Sequence, residues 1–141
     1  MKNRIFAWAL TALAVLILGA AMAAGAEQSG IAITNANFAA PSPEKDNLNE
    51  EWVEITNLGT GDVNLAGWTL EDGQNHTYKF PDFSLKAGAV AKIRTGEGND
   101  TVADLFWNRS SSIWNNDGDT ATLKDASGSI VSSYPEEEKA A

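Results

Sequence analysis

From Gly30 to Tyr134 the chain alternates short apolar runs with polar breaks and carries no stretch of helical period. Residues 31–38 read as a first strand. Residues 51–57 alternate strictly, with Val53 and Ile55 on one face and Trp52, Glu54 and Thr56 on the other. Val63 and Leu65 lead into a strand ending near residue 71, on which Trp68 and Leu70 point together. A hairpin connection over Asp72-Gly73-Gln74-Asn75, in which Asp-Gly supplies positive φ, returns the chain to residues 76–80, where Tyr78 and Phe80 face inward. A turn over residues 85–88 feeds a strand at 89–95, with Ala91 and Ile93 opposite Lys92 and Arg94. Residues 102–108 hold Leu105, Phe106 and Trp107, and residues 120–124 and 129–134 form a closing hairpin. About eight strands separated by Gly, Asn, Asp and Pro predict an all-β chain folded as an immunoglobulin-like two-sheet β-sandwich.

The two ends follow a different pattern. Met1-Lys2-Asn3-Arg4 is basic, residues 5–24 are apolar, and Ala24-Gly25-Ala26 offers small residues before Glu27. This is the layout of a signal peptide over residues 1–26, with an uncleaved N-terminal anchor as the alternative. Either reading places the rest outside the cytoplasm, secreted or at the cell surface, and the membrane is met only through residues 5–24 if they are retained. The domain then runs over 27–134, followed by an acidic tail over 135–141 that is expected to be disordered.

Composition narrows the chemistry. There is no cysteine, one histidine and a formal net charge of −9. Setting residues 1–26 aside removes Lys2 and Arg4 and leaves 8 basic against 19 acidic residues, a net charge of −11. Disulfides, Cys-based zinc sites and Cys nucleophiles are excluded, so an exported domain must hold by core packing and hydrogen bonding. Non-specific nucleic-acid binding, which needs a basic surface, is disfavoured.

Five blocks in order carry a resemblance. They are Asn49-Glu50-Glu51-Trp52-Val53-Glu54-Ile55-Thr56-Asn57, Leu65-Ala66-Gly67-Trp68-Thr69-Leu70, Tyr78-Lys79-Phe80-Pro81 with Leu85-Lys86-Ala87-Gly88, Trp114-Asn115-Asn116-Asp117-Gly118-Asp119-Thr120-Ala121-Thr122-Leu123, and Asp125-Ala126-Ser127-Gly128. Together they resemble the lamin tail domain family across residues 31–134. The resemblance implies an immunoglobulin-like fold without catalytic residues, used as an interaction surface. The chain departs from the nuclear members in having no heptad rod, no basic localisation cluster, and a signal-like N-terminus.

The candidate sites follow from residue chemistry. Trp52, Trp107 and Trp114 could form an aromatic strip for stacking on sugar rings, against core packing as the alternative. Asp100, Asp104, Asn116, Asp117 and Asp119 are candidate oxygen ligands for calcium, against Asx-turns as the alternative. No other cofactor is expected. Asn75, Asn99 and Asn108 each open an Asn-x-Ser/Thr glycosylation sequon. His76 has no nucleophile elbow near it in sequence, and Glu51, Glu54 and Glu71 are the carboxylates a glycosidase would need. Lys79, Lys92, Arg94 and Lys124 could make a basic face or pair with acids such as Glu71. The leading expectation is a non-catalytic, exported interaction module whose partner is a protein or a cell-envelope component. A carbohydrate-binding module comes next, and a metal-assisted hydrolase third.

Overall fold

A computed structural model describes residues 30–136. The expected leader over 1–26 and the acidic tail beyond Glu136 lie outside the described residues. The strands are β1 (Ile31–Asn37), β2 (Trp52–Asn57), β3 (Val63–Asn64), β4 (Thr69–Glu71), β5 (Thr77–Lys79), β6 (Ser84–Leu85), β7 (Val90–Arg94), β8 (Asp104–Phe106), β9 (Ala121–Lys124) and β10 (Ile130–Tyr134). Two single-turn 3-10 helices, Glu44–Asp46 and Leu48–Glu50, fill the β1–β2 connection. One sheet has the order β1-β2-β7-β8 and the other β10-β9-β4-β5, with β3 and β6 forming a two-stranded ribbon. This is the all-β, immunoglobulin-like sandwich read from the pattern, with no cysteine to bridge its sheets.

Period-two alternation builds the inner faces. Val53 and Ile55 on β2 and Ala91 and Ile93 on β7 are buried, while Trp52, Glu54, Thr56, Lys92 and Arg94 face outward. From the opposite sheet come Leu70, Tyr78 and Leu123, with Trp68 and Phe80 at the strand ends. Large apolar side chains thus fill the interlayer space without a disulfide.

Two local features depart from the sequence expectation, and a third is a strand pairing that the alternation left open. The strand expected to run from Val63 through Glu71 breaks at Gly67, which has φ +81, because Trp68 N–H donates to Leu65 O to close a turn. The detached piece pairs with β6 as the extra ribbon, so the described residues form ten strands rather than eight. In the β4–β5 loop, Asn75 (φ +70) and not Gly73 takes the left-handed conformation. The loop spans the five residues 72–76 rather than four, and the Asp72 carboxylate organises it, as described below. Finally, β8 runs parallel to β7. The intervening loop crosses back over β8, and Gly98 lies so close to the Phe106 ring that a Cβ there would come within 2.5 Å of it.

Six aromatic side chains form a connected run through the fold. Phe80 meets Tyr78 edge-on at 5.0 Å, Tyr78 meets Trp107 at 5.7 Å, and Trp107 meets Trp114 at 6.1 Å. Trp114 stacks on Phe38 at 5.0 Å, and Phe38 reaches Tyr134 at 6.4 Å. Offset and edge-on contacts of this kind add about 0.5–1.5 kcal/mol each beyond burial. They tie both sheets to the 107–120 loop.

Gly30 and Gly88 separate backbone strain from crowding. Both have positive φ, but a Cβ on Gly30 would sit 2.8 Å from Gly59 N, whereas one on Gly88 meets nothing within 4 Å. Gly88→Ala should cost about 1 kcal/mol of stability and Gly30→Ala distinctly more, since the clashing atoms are backbone. Urea unfolding of the two variants measures the difference, and equal losses would contradict the packing described.

Candidate functional site

The solvent face of the β1-β2-β7-β8 sheet gathers the most chemistry. β2 is an interior strand, and its outward residue Trp52 is only half-buried. Trp52 stands opposite Arg94 on β7 and Asn37 on β1. The Lys92 ammonium lies 4.0 Å from the Trp52 ring centroid, a cation–π contact. Arg94 acts as a strap: its Nε donates to Asp104 Oδ1 at 2.7 Å and its Nη1 to Asn49 O at 2.8 Å. On the next row, Thr34 Oγ1 lies 2.8 Å from both Glu54 Oε1 and Thr56 Oγ1.

Beside this face opens a polar cleft of about 480 Å³ between the two 3-10 turns and the 96–97 and 109–110 loop segments. Its walls carry Lys45 and Arg109 as well as Asp46, Glu50 and Glu97. Asn49 Nδ2 donates to Glu97 O at 2.9 Å and joins the two walls. The mixed charge suits a polar peptide surface better than a polyanion.

The wall is set from inside by Glu51. This residue has no solvent exposure, and its Oε1 accepts from Thr95 Oγ1 at 2.7 Å, Ile113 N at 2.9 Å and Trp114 N at 3.3 Å. The backbone of Glu51 also accepts from Thr95 N at 3.1 Å. One carboxylate therefore joins β2, the end of β7 and the 107–120 loop. At the other end of β2, Asn57 is equally buried and donates from Nδ2 to Gly61 O and Leu85 O, both at 2.9 Å. Sequence reading missed both anchors. The signal was the alternation itself: Glu51 and Asn57 share the parity of Val53 and Ile55 and so had to face the core.

The tryptophan candidates do not form one strip. Trp114 is 3% exposed and packs in the core, so it presents no platform. Trp107 is half-buried against the same core, while Trp52 is on the opposite side of the sheet. The reason is parity again, since Phe106 faces outward beside Arg94 and its neighbours turn in. The glycosidase carboxylates are likewise dispersed. Glu51 is internal, Glu54 lies on the outer face of one sheet, and Glu71 pairs with Lys124 at 3.1 Å on the other sheet. The basic residues divide in the same way, Lys92 and Arg94 on one sheet and Lys79 and Lys124 on the other, so they make no single basic face.

Three of the five candidate calcium ligands, Asp100, Asp104 and Asp119, engage carboxylate oxygens in local hydrogen bonds. Asp100 Oδ1 accepts from Phe106 N at 2.9 Å, and Asp104 is held by Arg94. Asn116 donates to Glu44, and Asp117 N donates to Asn115 Oδ1 at 3.1 Å. Asp119 accepts from Gly73 N, Thr120 N and Asn115 N at 2.8–3.0 Å. Among the described residues no three His, Asp or Glu side chains are placed to hold a metal ion. The sequon residues Asn75, Asn99 and Asn108 all lie on exposed loops.

His76 serves its own turn. Its Nδ1 is 2.6 Å from Asp72 Oδ2, and Asp72 Oδ1 accepts from the backbone N–H groups of His76 and Gln74 at 2.8 and 3.0 Å. Burial would push the Asp72 carboxyl up, but the His76 side chain and those N–H donors outweigh it and hold it below the ordinary 3.8. Tyr78 is shifted the other way: its buried hydroxyl, near Asp100, has its pKa raised.

Two expectations follow. Glu51→Ala strands two backbone donors and the Thr95 hydroxyl and should cost about 3–5 kcal/mol, whereas Glu51→Gln keeps an acceptor oxygen and should cost less. Denaturant midpoints of the two variants decide the matter; similar losses would show that the accepting oxygen is not what counts. Because the folded Asp72 pKa lies below its unfolded value, its contribution is complete above pH 3.8 and disappears as pH falls through the folded pKa. The stability gap between the wild type and Asp72→Asn should therefore close in acid, and a gap constant from neutral pH to well below 3.8 would contradict this.

The family model described as the Lamin Tail Domain matches residues 24–137. No curated protein matches the chain.

Proposed function

The chain belongs to the lamin tail domain family, whose members are non-enzymatic immunoglobulin-like domains, and from that premise we propose that it is an exported, non-catalytic interaction module for a protein partner. The observation that carries this reading is Trp52. A large aromatic stays partly open on the solvent face of an interior strand, beside the Lys92 cation, the Arg94 strap and a cleft of mixed charge. Trp and Arg are the residue types that dominate binding energy at protein interfaces, and a polar rim around them suits a non-obligate complex. Export rests on the basic and apolar N-terminal segment with its small-residue cleavage pattern.

The competing reading, a carbohydrate module, uses the same ring. The test is capture from native cell-envelope material by the purified protein, compared with Trp52→Ala and Lys92→Glu. A protein partner retained by the wild type should fall about tenfold or more with Trp52→Ala, a loss of about 1.4 kcal/mol, and should weaken with Lys92→Glu. Thermal melts of both variants establish that they remain folded. Equal retention by all three proteins would remove this face from the reading. A Trp fluorescence change on adding polysaccharide would favour the carbohydrate alternative.

A further inference from the structure

The three sequons differ in what the fold leaves free. At Asn108, φ is +59 and both amide atoms are engaged: Oδ1 accepts from Gly98 N at 3.2 Å and Nδ2 donates to Phe106 O at 3.3 Å. Asn108 thereby pins the loop that crosses β8. At the second sequon, Asn99 is exposed, but the Thr101 hydroxyl accepts from Ala103 N and Asp104 N at 3.2 and 3.0 Å. At the first, Asn75 and Thr77 are both exposed, and neither the amide nor the hydroxyl has a hydrogen-bond partner among the described residues.

We propose that Asn75 is the N-glycan acceptor of this protein. The inference rests on the proposed export, since the glycan donor is met outside the cytoplasm. In the step, Asn75 Nδ2 forms a bond to the anomeric carbon of a glycan carried on a membrane lipid phosphate. The anomeric carbon–oxygen bond to that phosphate breaks, the lipid phosphate leaves with the electron pair, and Nδ2 gives up one proton to a base of the transferase. Access favours this asparagine. It projects from the tip of the β4–β5 loop in the left-handed conformation, and the acceptor hydroxyl two residues on is already in extended strand geometry.

The position also gives the glycan a physical role. β5 is the end strand of its sheet. Asp72 N–H donates to His76 O and Phe80 N–H to Trp68 O, so residues 76, 78 and 80 face β4 with their backbone groups. The peptide groups of Thr77 and Lys79 therefore point away from the sheet. An open edge of this kind invites pairing with another chain, and a bulky hydrophilic group on the loop two residues before β5 screens it.

Asparagine is also favoured at Asn75 by the left-handed backbone alone, so the test must separate turn from acceptor. Protein recovered from the extracellular and envelope fractions of its own cells is digested and mapped by mass spectrometry. The peptide spanning Asn75 should carry a glycan mass increment, and the one spanning Asn108 should be bare. Asn75→Gly, which keeps the turn and the melting temperature, should abolish the increment; Thr77→Ala should do the same and Thr77→Ser should retain it. A bare Asn75 in chain recovered outside the cytoplasm overturns this proposal and leaves export standing. Modification at Asn99 or Asn108 with Asn75 bare overturns it as well. Chain found only in the cytoplasm overturns both this proposal and the export it rests on.

Discussion

At one end of the central strand a carboxylate with no solvent contact accepts hydrogen bonds from a threonine hydroxyl and two consecutive backbone amides. Glu51 does this in place of the covalent cross-link available to sandwiches that carry cysteine, and it acts on a segment with no strand of its own. Residues 107–120 contain no strand, so their backbone donors need partners from elsewhere. Glu51 supplies them at Ile113 and Trp114, and Trp114 can then enter the aromatic run that links the two sheets. The ordering of this loop fixes the 109–110 wall of the polar cleft. Packing, loop order and surface shape thus depend on one buried acceptor.

The same strand shows how a sandwich separates stability from recognition. Its inward residues, Glu51, Val53, Ile55 and Asn57, are all fully buried, with polar groups at the ends and aliphatics between. Its outward residues, Trp52, Glu54 and Thr56, meet solvent and their cross-strand neighbours. An outward substitution therefore acts mainly on the surface, whereas an inward one acts on the fold. Arg94 on the neighbouring β7 is the exception, since it lies on the outer face yet braces the second 3-10 segment, Leu48–Glu50, against β8.

The acidic and asparagine-rich loops owe their composition to turn geometry. Asp72, Asp119 and Asp125 each accept from two or more backbone N–H groups around their own turns, which lets tight connections form without many regular hydrogen bonds. The Asp125 carboxyl is held below its ordinary value mainly by the Ser127 hydroxyl and the Ser129 N–H. The negative balance of the chain is thus partly the cost of building a sandwich with long loops and no cysteine.

Alternation in residues 51–57 and 89–95 was enough to read the two inner faces, and the five ordered blocks were enough to reach the family. Period two is a local property, and adjacent residues on a strand must point to opposite sides whatever the rest of the chain does. The tertiary structure alone decided how β8 is paired, where the left-handed turn falls in the β4–β5 loop, and which tryptophans are covered. Trp52, Trp107 and Trp114 are equivalent in composition. Only the outward parity of Trp52 on β2, and the reach of Glu51 across 62 positions to the Ile113–Trp114 backbone, separate the half-open Trp52 from the buried Trp114. Such contacts join residues distant along the chain, and nothing in the local pattern encodes the distance between them.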